Sequence, residues 1–148
     1  MARDYLLHHA DEEKSHWQWV INDLKRIGYK GGDPRNNLPN PACQTYIAYN
    51  VFTAVKDPLS RLAIAFVLET IGATFSKKYA QKVCQLLKLT PNQTSFFFGH
   101  GDTDVGHSQE ILEIINQCEL TEDQWKRMVQ AVKVAGNLYK QMYNEVVK

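Results

Sequence analysis

The chain has 148 residues, 44% hydrophobic and 22% charged, which excludes a disordered segment and supplies one domain with a real core. With 17 basic and 16 acidic residues the formal net charge is +1, and the scattered lysines and arginines exclude a nucleic-acid footprint. Neither a signal-peptide core nor an apolar run long enough to span a bilayer is read, so no membrane is expected and the compartment is expected to be cytoplasmic.

The first predicted element is a helix from Arg3 to Ile27, helical almost from Met1 with no capping loop before it. On that ground the chain is expected to begin partway through a larger domain or to be a short version of one. Homo-oligomerisation, or a partner over the N-terminal side, would cover the apolar surface so exposed. "IGYKGGDPRNNLPNP", residues 27–41, is the one long loop, dense in Gly, Pro and Asn. Asn40-Pro41, Asp57-Pro58 and Thr90-Pro91 each place a capping side chain before a proline, marking three helix starts. The helices they open are predicted from Pro41 to Val55, from Pro58 to Leu87 with a bend near Gly72, and from Pro91 to Cys118. Thr121 and Gln124 form a capping box opening a last helix from Glu122. No alternating strand pattern interrupts this order, and an all-α helical bundle in a single domain, residues 3–146, is predicted. Cys43, Cys84 and Cys118 are widely spaced with no C-x-x-C pair, which excludes a zinc ribbon and fits small buried residues of a reduced protein.

Three stretches carry chemistry. In "HHADEEKSH" at one helix period His9, Glu13 and His16 share a narrow arc with Glu12 at its edge, while Asp11, Lys14 and Ser15 face away. Glu13-x-x-His16 is the spacing by which a helical carboxylate and imidazole converge on one metal ion. Asp104-x-x-His107, in "FFFGHGDTDVGHSQEILEII", repeats it, with His100 one turn earlier. Glu69 stands among apolar and small residues in "LAIAFVLETIGATF", where an unpaired carboxylate costs several kcal/mol of desolvation. The small neighbours, Gly72 among them, would admit another helix closely. His9, Glu12 or Glu13, His16, Glu69, His100, Asp104 and His107 are therefore the candidate metal ligands. A thiolate-free set of this kind suits iron or manganese and accepts zinc, and carboxylates can bridge two ions in a helical bundle.

Structural roles account for each of these residues singly. A helical Glu and His three apart arise by chance, Asp102 and Asp104 can cap a break, and Glu69 can pair with Arg61, Lys77 or Arg127. The aromatic set Trp17, Trp19, Phe96, Phe97, Phe98 and Trp125 is core before it is a ligand box. Metalloprotease, serine-hydrolase and phosphate-loop patterns are absent. The alternatives are a metal-free small-molecule-binding bundle and a helical interaction protein. No buried arginine to anchor a substrate can be read from the pattern.

The pattern H-x-x-E-E-x-x-H-x-x-W, the isolated helical Glu69 and the later H-x-x-x-D-x-x-H resemble the haem-oxygenase-like di-iron oxidases. Within them the chain most resembles the CADD-like proteins, iron-containing redox enzymes related to the TenA and PqqC fold, and "FFFGHGDTDVGH" is similar to the cyanobacterial branch. The resemblance runs from Tyr5 to Glu145. It implies a haem-oxygenase-like bundle without the first helices, two ions cycling between Fe(II) and Fe(III), O2 as co-substrate and oxidation of a small organic molecule. His16, Glu69, His100, Asp104 and His107 match family ligands, and the remaining place falls to Glu13, Glu12 or His9. No cysteine stands beside the constellation, as the TenA-type hydrolases would require.

Overall fold

The structure, a computed structural model, describes residues 1–146 and is a bundle of α-helices with no strand among the described residues. Its helices are α1 (Ala2–Glu13), α2 (Trp17–Arg26), α3 (Pro41–Lys56), α4 (Pro58–Leu87), α5 (Ser95–Gln117) and α6 (Glu122–Val146), with 3₁₀ turns at Pro34–Asn36 and Pro91–Gln93. The predicted starts are realised by their caps. Asn40 accepts the Cys43 N–H at 2.8 Å, and Asp57 accepts from Ser60 through both its backbone N–H and its hydroxyl. Thr121 and Gln124 exchange side-chain and backbone hydrogen bonds as a capping box. Thr90-Pro91 opens the short 3₁₀ turn instead, and the long helix begins only at Ser95.

α4 is the axis of the molecule. One of its faces packs Leu62 and Ala65 with Ile111 of α5 and with Ala2, Tyr5 and Leu6 of α1. Another packs Ile64 with Ala131 and Ala135 of α6 and Tyr46 and Tyr49 of α3. This central place explains its apolar composition. By length and composition α4 is a helix that could cross a membrane, contrary to the absence of such a run read from the sequence. Its partners on several sides, and Arg61, Glu69, Lys77 and Lys78 along it, fit a bundle core equally well.

Two predicted elements differ. The expected single helix over Arg3–Ile27 is broken at residues 14–16, where i→i−3 bonds from His16 to Glu13 and from Trp19 to His16 tighten the chain into a turn. No Pro or Gly marks the break. Its cause is tertiary, because α1 packs on α4 while α2 packs on α5. The expected bend at Gly72 is absent, and α4 runs unbroken through it. The glycine serves a close approach instead: a Cβ there would overlap the Asp104 carboxylate of α5. The cysteines are free and only partly buried, and Cys118 lies just past the end of α5.

Candidate metal centre

Where α1, its turn, α4 and α5 meet, the structure gathers His9, Glu13, His16, Glu69, His100, Asp104 and His107. α1 supplies His9 and ends on Glu13, and the turn carries the chain to His16. α4 supplies Glu69, and α5 supplies His100, Asp104 and His107 from one face. Three groups of donors each lie within 4.8 Å of one another: His9, Glu13 and His107; Glu13, His16 and His100; and Glu69, Asp104 and His107.

Glu13 belongs to two of these groups, one through each carboxylate oxygen. Its Oε2 is 2.7 Å from His16 Nδ1 and 3.6 Å from His100 Nε2, while its Oε1 faces His107 Nδ1 at 3.7 Å. Glu69 divides in the same way, with Oε1 at 3.2 Å from His9 Nε2 and Oε2 at 3.4 Å from His107 Nδ1. Glu12 stands at the margin. It is 42% exposed, reaches His107 Nε2 at 3.7 Å and His8 at 3.5 Å, and joins none of the three groups.

The supports of these side chains orient them inward. His100 Nδ1 donates to the Phe96 carbonyl at 2.8 Å, which turns Nε2 toward Glu13. Tyr5 stacks on His9 with ring centroids 5.6 Å apart, and Trp19 stacks on His16 at 4.1 Å. Trp19 has room only because Gly99 lies against it, where a Cβ would come within 2.7 Å of the indole. Both aromatics sit one turn from their histidine, at the i−4 and i+3 positions, and that spacing is the signal by which they are legible.

Charge in the cluster is poorly compensated by protein alone. Burial, followed by the charge of Glu69, pushes Asp104 up to about 7. His9 and His100 resist the loss of charge that burial favours, and each is raised by its carboxylate, Glu69 for His9 and Glu13 for His100. Glu13 is lowered against its burial by His100 and His16. His9 Nδ1, Glu13 Oε1 and His107 Nδ1 are buried with no hydrogen-bond partner among the described residues. Crowded carboxylates, imidazoles and orphaned donor atoms of this sort fit a divalent cation of the iron, manganese or zinc type.

The bland pairings are not the ones formed. Lys77 pairs with Asp102 and Arg127 with Asp57 at 3.1 Å, so Glu69 is left to the histidines. Asp102 lies on the unbroken α5 and caps nothing. Asp23, not singled out in the sequence, is the group that sets α5 in place. It is buried and accepts from the Phe96 N–H at 2.8 Å and the Ser95 hydroxyl at 2.6 Å, capping a helix that Thr94 does not cap.

With that geometry established, comparison with known proteins decides the family. The pattern of the family described as "iron-containing redox enzyme" matches residues 8–140. The chain belongs to that family. A solved structure from Shewanella denitrificans OS217, described as a domain of unknown function with a heme oxygenase-like fold, superposes with a TM-score of 0.88 at 25% identity. The match covers 97% of this chain and 62% of that one, so the chain spans under two thirds of the length of its structural neighbour. No curated protein matches the chain. Membership in the family makes a redox function involving iron the frame for the centre, and the haem-oxygenase-like all-α fold agrees with the sequence expectation.

Proposed function

We propose that the chain is a non-haem di-iron oxidase or oxygenase of the CADD-like branch, acting in the cytoplasm on a small organic substrate with O2 as co-substrate. One observation carries the reading: the two oxygens of Glu13 face two separate sets of imidazoles. A carboxylate so placed could be shared by two ions held between bundle helices. Glu13, His16 and His100 would hold one ion, and His9, Glu13, Glu69, Asp104 and His107 would hold the other. Iron in such a centre supplies the electrons that reduce O2.

The chain's own residues prepare the site. Phe96 and the stacked Trp19 and Tyr5 fix the imidazoles in one orientation. Free thiols at Cys43, Cys84 and Cys118 suit a reducing compartment.

The test is iron content after anaerobic Fe(II) loading, followed by O2 consumption. The proposal expects about two irons per chain, as in carboxylate-bridged bundle centres, and metal-dependent uptake of O2. A chain that takes up no specific iron would return the cluster to a hydrogen-bonded polar core, and about one iron would reduce the centre to a mononuclear site.

A further inference from the structure

Near the C-terminal end of α4, a row of aromatic rings runs from the candidate centre to solvent. His100 packs on Phe96 with ring centroids 4.3 Å apart, Phe96 on Phe97 at 5.4 Å, and Phe97 on Tyr79 of α4 at 4.9 Å. The Phe96 carbonyl accepts from His100, and Asp23 accepts the Phe96 N–H at 2.8 Å. The inner end of the row is therefore fixed by the bonds that set α5 in place. The outer end, Tyr79, is 54% exposed. Rings in contact couple electronically far better than an equal span of solvent, so the row joins His100 to the surface for electrons.

The surface it reaches is apolar and basic. Phe75 and Tyr143 are 58% and 51% exposed, and with Tyr79, Phe97 and Tyr139 they line a groove of about 340 Å³. Exposed aromatics scattered singly are ordinary, but several gathered at one groove mark a contact surface. From Thr70 to Gly101 the sequence carries Lys77, Lys78, Lys82 and Lys88 and no acidic residue. Asp102 pairs with Lys77, whereas Lys78, next to Tyr79, and Lys82, three residues after it, are exposed. Lys140 of α6, next to Tyr139, is exposed as well, and Glu145 lies on the side of α6 away from Tyr143.

An apolar groove with a cationic rim suits an anionic partner, which the rim steers and orients. A lipid headgroup or a nucleic-acid backbone would answer to the charge, but neither would use the row of rings behind Tyr79. A small acidic electron carrier uses both. A centre that gives electrons to O2 has to receive them again, and the family is one of iron-containing redox enzymes.

We infer that the groove at Phe75, Tyr79 and Tyr143 docks a small acidic one-electron carrier of the ferredoxin type, and that Tyr79, Phe97 and Phe96 lead its electron to His100. Each transfer oxidises the carrier's reduced cluster by one electron and returns one Fe(III) to Fe(II), with no bond made or broken. Two transfers restore two ions. The inference rests on the iron-centre reading for the destination of the electron, whereas docking does not require metal.

Calorimetric titration of the metal-free full chain with an oxidised plant-type ferredoxin reads the docking. Binding is expected at low ionic strength and should weaken as salt is added. Lys78→Glu with Lys82→Glu should weaken it at least tenfold. Arg3→Glu with Lys56→Glu, an equal change of charge near the start of α4, should not. Stopped-flow mixing of the anaerobic Fe(III)-loaded chain with reduced ferredoxin reads the path. Phe97→Leu should slow transfer at saturating carrier at least tenfold, while carrier binding and reduction by dithionite stay unaltered. Tyr79→Leu, at an exposed position, breaks the same row and covers the case in which Phe97→Leu does not fold. Absence of ferredoxin binding, or equal losses in the two charge-reversed pairs, would overturn the docking site. Binding of phosphatidylglycerol vesicles or oligothymidylate through Lys78 and Lys82, with none of ferredoxin, would overturn the choice of partner. Full transfer rates in folded Phe97→Leu and Tyr79→Leu would overturn the path. A chain that takes up no iron loses the path together with the centre, and the metal-free titrations then decide the docking alone.

Discussion

At the scale of the residue, Glu13 is where the candidate centre is joined. Its two oxygens face different histidines, so removing the carboxylate disturbs both donor groups at once. Glu13→Ala is therefore expected to lower bound iron from about two ions to less than one, whereas His16→Ala should retain about one, the count that a shared bridge implies. Colorimetric iron analysis of the anaerobically loaded variants reads this directly. Glu12→Ala should leave the iron content unaltered, since that side chain lies outside all three donor groups. Equal losses in the Glu12 and Glu13 variants would take the bridging role away from Glu13. Gly72 offers a subtler probe, because an added methyl overlaps Asp104 Oδ2 without removing any donor. Gly72→Ala should weaken iron binding about tenfold or more, the usual scale for disturbing the setting of a ligand. The histidines, Glu69 and Asp104 were legible because helical spacing alone puts them on shared faces. Helical spacing also set Glu13 within the arc of His9 and His16 and Glu12 at its edge, but the turn at residues 14–16 that aims His16 was not legible, because no Pro or Gly announces it.

At the scale of the element, side chains borrowed from neighbouring helices set the angles. Asp23 of α2 caps α5, and its negative charge lies at the positive end of that helix. Asp23→Ala should cost about 1–2 kcal/mol, the worth of a buried cap, and lower the melting temperature by roughly 2–8 °C. Thermal unfolding followed by circular dichroism measures it, and an unaltered midpoint would mean that Ser95 and the backbone find other partners. Asp57 plays the corresponding part for α4 and also holds Arg127 of α6 at 3.1 Å. Burial raises its carboxyl, but the Ser60 and Arg127 hydrogen bonds outweigh that and hold it below its ordinary value of 3.8. A depressed carboxylate contributes stability that is complete above the unfolded value and is lost as pH falls through the folded one. Asp57→Asn should consequently flatten the loss of stability below about pH 4, as followed by urea unfolding across that range. The caps at Asn40, Asp57 and Thr121 were all readable from sequence because a cap and its helix are local. The cap from Asp23 was hidden because its helix lies far along the chain.

At the scale of the whole molecule, the proposed ions tie together parts that the apolar core holds unevenly. α4 is packed on α1, α3, α5 and α6, whereas α1 rests chiefly on α4 and α2 on α5 and the 3₁₀ turn Pro91–Gln93 before it. The short α1 and α2 carry His9, Glu13 and His16 and are the elements most readily opened by local unfolding. A metal ion that binds only the assembled site stabilises it by mass action, by about 2.7 kcal/mol at a hundredfold excess over its dissociation constant. For a chain of this size that corresponds to a rise of roughly 5–10 °C in melting temperature. The rise should vanish on chelation. Hydrogen exchange then locates the effect: amides of α1 and α2 should slow with metal as much as the slowest core amides do. Fast local exchange at the ends of α3 and α6, which can open without disturbing any of these donors, should not change. Unaltered protection of α1 and α2 on loading would mean that their histidines and Glu13 do not hold the ion. The centre would then be confined to Glu69, Asp104 and His107, carried by α4 and α5 alone.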